Sequence, residues 1–250
     1  MCTAGPDPRL TATARPVAEI DAWLGGLSAP ARIGWALEAL PGAHVLSSSF
    51  GAQSAVALHM ATRLRPSLPV ILVDTGWLFP ETYRFVDALV ARLGLALTVV
   101  RPDPAQAWSA AEVATLRDQG AAGIDRYNTV HKVEPMRRAL AALGAGTWIA
   151  GLRRDQASTR GRTGFLERRE GRWKLHPLAD WTDRDVGRYL ARHRLPYHPL
   201  WHQGYVSIGD VHSTRRWEPG MREEDTRFFG LRRECGLHTG NPTTDGPPPV

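Results

Sequence analysis

From residue 43 onward the apolar positions fall into short runs separated by longer amphipathic stretches, as strands alternating with helices require. Ala43-His44-Val45-Leu46-Ser47 is short and apolar enough for a buried strand, and residues 52–64 beyond it carry helical spacing. Pro69-Val70-Ile71-Leu72-Val73-Asp74 predicts a second strand, ending at Thr75-Gly76. Pro80 opens a helix to Leu93, at the first-turn position where its missing N–H costs nothing. Residues 95–100 predict a third strand, 104–119 a helix, 133–143 another helix, and 147–151 a fourth strand. Two short helices, 17–27 and 31–40, precede this series, separated by Ser28-Ala29-Pro30. The expected fold class is α/β, a largely parallel sheet flanked by helices.

The pattern changes towards the C-terminus. Residues 165–169 and 172–175 flank Gly171 as an exposed hairpin, and Thr182 with Asp185 forms a capping signal for a helix to about His193. Past Pro196 the chain reads as irregular and aromatic, with an irregular mobile C-terminal tail. The expected organisation is a flexible lead-in (1–16), an α/β domain (17–221), a mobile tail (222–238) and a disordered Pro-rich end (239–250).

Composition narrows the function classes. The 250 residues are 43% hydrophobic, enough for one sizeable core, and no apolar run is long enough to span a membrane. The N-terminal residues show no signal-peptide pattern, so a cytoplasmic protein is expected. The net charge of +6 is uneven: residues 1–125 hold 9 basic and 11 acidic groups, residues 126–250 hold 22 and 14. The C-terminal half therefore suits an anionic ligand. The basic groups cluster in one loop and tail with no recognition helix, which disfavours nucleic acid. Only two cysteines, Cys2 and Cys235, are present, which excludes a disulfide scaffold, a Cys-x-x-Cys zinc site and an internal redox couple.

Five stretches carry candidate chemistry. Ser47-Ser48-Ser49-Phe50-Gly51-Ala52-Gln53-Ser54 joins the first strand to its helix, where small residues and a helix N-terminus suit an oxyanion; it also reads as an ordinary connecting loop. Asp74-Thr75-Gly76 ends the neighbouring strand and suits a ribose or adenine contact, or merely a turn. Lys132, placed beside Pro135 near a helix start, gains nothing from the helix dipole, so an anionic ligand explains it as well as solvent does. The loop 151–162 presents Arg153, Arg154, Arg160 and Arg162, whose forked guanidinium groups suit phosphate or sulfate, although a solvated charged loop reads the same way. Finally, Arg232-Arg233-Glu234-Cys235-Gly236-Leu237-His238 sets one thiol among cations that favour a thiolate, with Glu234 opposing them; a surface cysteine in a basic tail is the alternative.

Read in order, Ser48-Ser49-Phe50-Gly51, Asp74-Thr75-Gly76-Trp77-Leu78-Phe79-Pro80-Glu81-Thr82-Tyr83, Lys132-Val133-Glu134-Pro135-Met136, Gly151-Leu152-Arg153-Arg154-Asp155-Gln156, Tyr197-His198-Pro199-Leu200-Trp201, Trp217-Glu218-Pro219-Gly220 and Glu234-Cys235-Gly236-Leu237-His238 closely resemble the phosphoadenosine phosphosulfate (PAPS) reductase family over residues 20–240. The resemblance implies an adenine nucleotide α-hydrolase-like fold, related to the phosphate-loop ATP pyrophosphatases. The first loop lacks the paired glycines and lysine of those enzymes, which counts against an ATP-dependent adenylating enzyme. It further implies reduction of PAPS to sulfite and adenosine 3′,5′-bisphosphate through an S-sulfonated Cys235, with thioredoxin or glutaredoxin as external reductant and a homodimer as the assembly. Its sister family reduces adenosine phosphosulfate (APS), and usual members hold an iron–sulfur cluster. Those ligand positions correspond to Tyr127, Asn128, Asp210 and Ser213, none of them cysteine, so no cluster and no tightly bound cofactor or metal is expected. A cluster-free APS reductase is the alternative. The implied roles are Cys235 and His238 in catalysis, with Ser48, Ser49, Phe50, Gly51, Ser54, Asp74, Thr75, Gly76, Lys132, Arg153, Arg160 and Arg227 binding substrate. Arg154 or Arg162 are alternatives to Arg160.

Overall fold

A computed structural model describes residues 15–232 and 234–237. The parallel strands are β1 (Ala43–Ser47), β2 (Pro69–Val73), β3 (Ala96–Val100), β4 (Ala145–Ala150) and β6 (Arg172–Leu175), with β5 (Leu166–Arg169) antiparallel at one edge. Their order is β3-β2-β1-β4-β6-β5. The chain reverses direction across the sheet between β1 and β4, and a doubly wound sheet opens its ligand crevice at such a point. The expected α/β class is therefore found.

Helices cover both faces. α1 (Val17–Gly25), α2 (Ala29–Ala39), α3 (Ala55–Leu64), α4 (Pro80–Leu93) and α8 (Asp183–Arg192) share the main core with Leu46, Val70, Leu72, Ile149 and Leu175. α7 (Glu134–Ala142) closes the other face, where Met136, Ala139 and Leu140 meet Val45, Ile71 and Trp148. Local signals set several boundaries. Ser28 caps α2 by accepting from the Ala31 N–H, Thr182 and Asp185 cap α8 reciprocally, and α4 runs from Pro80 to a left-handed stop at Gly94 (φ 63°).

Three expectations about elements are corrected. The helix expected over 104–119 is a turn, then the single-turn α5 (Ala110–Ala114), and the chain restarts as α6 (Gly120–Asn128) at Gly120, whose φ is 61°. Lys132 does not sit at a helix start. α6 continues through a π-helical turn, Thr129–Val133, directly into α7, so Lys132 is inside one long helix. The wide turn opens the space that the Pro135 ring needs and tolerates its missing N–H. The 165–175 hairpin is not exposed: β6 pairs with β4, and Trp173, Lys174 and Leu175 are all buried.

His198 ties the aromatic segment to the sheet edge. Its backbone N–H donates to the Ala52 carbonyl, and the Leu200 N–H donates to Nδ1 at 3.1 Å, which leaves the Nε2–H facing Thr82 Oγ1 at 3.0 Å. Burial pushes the ring down to about 4, so the neutral form is the folded form. The unfolded chain takes up this proton near pH 6.5 and the native chain only near 4, so stability present above 6.5 is lost as pH falls between the two. Urea unfolding at about pH 7.5 and pH 5 should show that His198→Gln escapes about 2 kcal/mol of the native protein's acid loss. Equal losses in both proteins would remove His198 as a source.

Candidate active site

The C-terminal ends of β1, β2 and β4 open into a cavity of about 240 Å³, lined among others by Ser48, Ser49, Gly51, Ser54, Thr75, Lys132, Arg153, Arg160, Arg227 and Cys235. The floor follows from the first loop. Ser48 Oγ accepts from the Phe50 N–H at 3.1 Å, and Phe50 takes a left-handed φ of 49° that turns the chain into α3. The Phe50 ring goes into the main core and does not line the cavity. Ser54 Oγ is buried on the wall with no hydrogen-bond partner.

The second strand end splits its roles. Thr75 faces the cavity, whereas Asp74 and Gly76 do not line it. Asp74 is used internally: Oδ1 accepts from the Gly76 N–H and the Tyr83 hydroxyl, and Oδ2 from Arg101 Nε. Asp74 thus shapes the turn that presents Thr75.

Lys132 is buried and its Nζ lies 2.6 Å from Asp210 Oδ2. Asp210 also accepts from Thr75 Oγ1 at 2.6 Å and from the Tyr127 hydroxyl at 3.3 Å. Burial alone would raise the Asp210 carboxyl; Lys132, with Thr75 and Arg227 adding to it, more than reverses this and holds it at about 2. His131 completes the cluster. The Trp108 N–H donates to Nε2 at 3.0 Å, so Nδ1–H donates to the Thr75 carbonyl at 3.2 Å, and burial keeps the ring neutral. Two of the positions aligned with cluster cysteines, Tyr127 and Asp210, are thereby joined by a hydrogen bond. Among the described residues no group of three or more His, Cys, Asp or Glu could hold a metal ion.

The arginines divide by partner. Arg153 Nη2 donates to Gln53 Oε1 at 2.6 Å and Asp183 Oδ1 at 2.7 Å, tying the first loop to α8. Arg160 grips Glu234 with two bonds of 2.8 Å and donates to Gln156 Oε1 at 2.7 Å. Arg154 instead donates to the Thr163 carbonyl, and neither it nor Arg162 lines the cavity. Arg227 makes no ion pair among the described residues, and its buried Nε has no hydrogen-bond partner. It lies flat against Gly209, where an added Cβ would come within 2.0 Å of Nη2. A buried guanidinium on a cavity wall without a direct ion pair among the described residues is the arrangement an anionic ligand completes.

Cys235 reaches this wall half-buried, on a segment held by its neighbours. Glu234 is the residue that Arg160 grips. Gly236 has φ 81° and passes so close to Val133 that a Cβ would lie 2.9 Å from Cγ2. Leu237 packs against the apolar cluster that α7 forms with the sheet. Arg232, expected to face the thiol, pairs outward with Asp125 at 2.9 Å. Among the described residues, Arg160, Arg227 and Lys174, from other parts of the chain, are cations within electrostatic reach of Cys235. Glu234 therefore does not oppose the field freely, since Arg160 neutralises it. His238 and Arg233 lie outside the described residues. Gln53 and Gln156 stood within the first loop and the arginine-rich loop without a role of their own, and Asp210 only as a position matching a cluster ligand; Lys174 carried only the signal of being one of two lysines.

Residues 43–216 match the family model described as the phosphoadenosine phosphosulfate reductase domain. The chain belongs to that family. The phosphoadenosine 5′-phosphosulfate reductase of Xanthomonas oryzae pv. oryzae is 62% identical over 219 residues, 88% of this chain and 91% of the relative. That of Alkalilimnicola ehrlichii is 62% identical over 215 residues, 86% and 88% respectively. The phosphate complex of the Candida auris PAPS reductase superposes with a TM-score of 0.68 at 28% identity, covering 82% of this chain and 99% of that one. The Candida glabrata FMN adenylyltransferase, at 15% identity and a TM-score of 0.54 over 86% of this chain and 71% of its own, shares the fold alone. No helix among the described residues is long and apolar enough to cross a membrane.

Proposed function

We propose that this chain reduces 3′-phosphoadenylyl sulfate to sulfite and adenosine 3′,5′-bisphosphate, as a step of sulfate assimilation. The observation that carries the reading is Cys235, a single thiol on the wall of a cavity that also presents Lys132 and the unpaired Arg227, in a chain of this family. The Cys235 thiolate attacks the sulfuryl sulfur, the bond from that sulfur to the phosphate oxygen breaks, and the bisphosphate leaves with the electron pair. The enzyme is left as a cysteine S-sulfonate. A thiolate of an external dithiol protein, thioredoxin or glutaredoxin, then attacks the Cys235 sulfur and expels sulfite. The mixed disulfide is resolved by the reductant's second thiol, so two electrons come from that dithiol and the Cys235 thiol is regenerated.

Negative charge develops on the departing phosphate in the first step. Arg227 and Lys132 are the cations of the lining that suit it, and Ser54 Oγ and the start of α3 line the same cavity. Arg153 shapes the first loop through Gln53, and Arg160 acts on the tail through Glu234. Because Cys235 is half-buried, the second step calls for the segment 222–238 to open towards the reductant.

Reduced protein incubated with PAPS or APS, without reductant, and weighed intact provides the test. A sulfonate increment on Cys235, formed faster from PAPS, is expected. An adduct formed equally fast from APS would remove the substrate assignment, and no adduct with either nucleotide would remove the mechanism.

A further inference from the structure

A lysine on the strand next to the sheet edge has no part in the chemistry above. Lys174 is completely buried on β6, in register between Glu167 of β5 and Trp148 of β4, a row that continues to the apolar Val45 of β1. An aliphatic side chain would suit that row. The ammonium instead lies 4.1 Å from the centroid of the Trp148 ring and 3.7 Å from Glu167 Oε1, and donates to the backbone carbonyl of Leu237 at 2.9 Å. That carbonyl belongs to the residue two positions after Cys235.

We propose that Lys174 is a positioning residue for the reaction, a latch from the sheet that seats the Cys235 segment against the substrate cavity. The inference rests on the sulfonation reading above. The seat has three points: Arg160 on Glu234 before the thiol, the close approach of Gly236 to Val133 after it, and Lys174 on the Leu237 carbonyl. The first is a side-chain contact at the cavity, whereas the third fixes the backbone from beneath, independently of what Glu234 does. Among the described residues, the charged and titratable groups around Lys174 include Glu167, Arg169, His176 and Cys235. Burial, with Arg169 adding to it, pushes the lysine down to about 7, and Glu167 and Cys235 oppose the shift. Both the ammonium and the neutral amine carry an N–H for the carbonyl, so the latch holds on either side of neutrality.

Lys174→Met, similar in volume and apolar, removes the donor and should unfold near the native temperature, because Glu167 is partly exposed and keeps its His176 contact. Its single-turnover sulfonation of Cys235 by PAPS should fall about tenfold or more, while its affinity for adenosine 3′,5′-bisphosphate stays within about twofold. Without any ligand, deuterium uptake in the peptide spanning 231–237 should rise and that of the strands should not. Lys174→Gln, which keeps an N–H donor, should recover most of the rate. The proposal is overturned by native-like sulfonation in Lys174→Met, by affinity that falls in parallel with rate, by unchanged uptake, by a Lys174→Gln protein as slow as Lys174→Met, or by failure to fold, which would make Lys174 a residue of stability. If the native protein forms no adduct, the substrate reading fails and the uptake measurement alone decides the latch.

Discussion

A Cys235→Ser protein will bind adenosine 3′,5′-bisphosphate as the native chain does and release no sulfite above background, a loss on the order of a thousandfold or more. The geometry of the segment does not depend on the sulfur: Glu234 stays with Arg160, Gly236 stays against Val133 and Leu237 stays in its apolar niche. Only the nucleophile changes, from a sulfur to the much weaker nucleophile of a hydroxyl oxygen. The two steps also respond separately. A hydroxyl that did attack would give a sulfate ester, which no thiol can reduce to sulfite, so even residual first-step chemistry would not become turnover. Sulfite release measured with a reducing system, beside nucleotide titration, checks both halves. Retained turnover would assign the chemistry elsewhere, and peptide mass would show whether Cys2 had taken it over.

The second large effect lies at Lys132 and Asp210. Lys132→Met should cost about 3–5 kcal/mol of stability and most of the activity, because it strands a fully buried carboxylate with only the Thr75 and Tyr127 hydroxyls as direct partners. Asp210→Leu should cost a similar amount by leaving the ammonium alone. Both changes together should restore much of the stability, since no uncompensated charge remains, but none of the activity, since the cavity has lost a cation. Denaturant unfolding of the four proteins gives the coupling. Additive losses would mean that the 2.6 Å pair contributes little. The pair also sets an acid limit. The native Asp210 carboxyl titrates at about 2 against 3.8 for the unconstrained group, so its stabilisation is complete above about 4 and disappears as pH falls towards 2.

The contrast between Lys132 and the strands shows which physics a sequence exposes. β1 to β4 were legible because each is a short apolar run closed by small or turn-forming residues, and α4 because Pro80 and Gly94 are local signals with local meaning. The thiol and the loop arginines were legible as residue types at the ligand edge. What each one touches was not. Arg160 was expected on an anionic substrate group and holds Glu234, 74 positions away; Arg232 was expected beside the thiol and holds Asp125, 107 positions away. Phe50 and Asp74 sit within the expected motifs, yet one packs in the core and the other shapes a turn. Such pairings depend on tertiary geometry, and nothing in the local spacing of charges encodes them. The helix break at Gly120 and the continuation through Pro135 escaped for a related reason, since a proline that usually starts a helix was absorbed by a wide turn.

That wide turn, Thr129–Val133, constrains how the gene can change. A π turn holds one residue more than the α-helical turn it replaces, so everything on its N-terminal side is rotated by about 100° relative to a regular helix. Tyr127 reaches Asp210 in that rotated frame, while Met136 on the far side packs against the sheet. Removal of a single codon anywhere from 129 to 133 would let the helix relax to regular winding and swing Tyr127 about a quarter-turn off its partner, although every remaining side chain were the same. Point substitutions in this stretch are graded in effect. A change in its length is not, because one end of the helix can keep its contacts only if the other loses them.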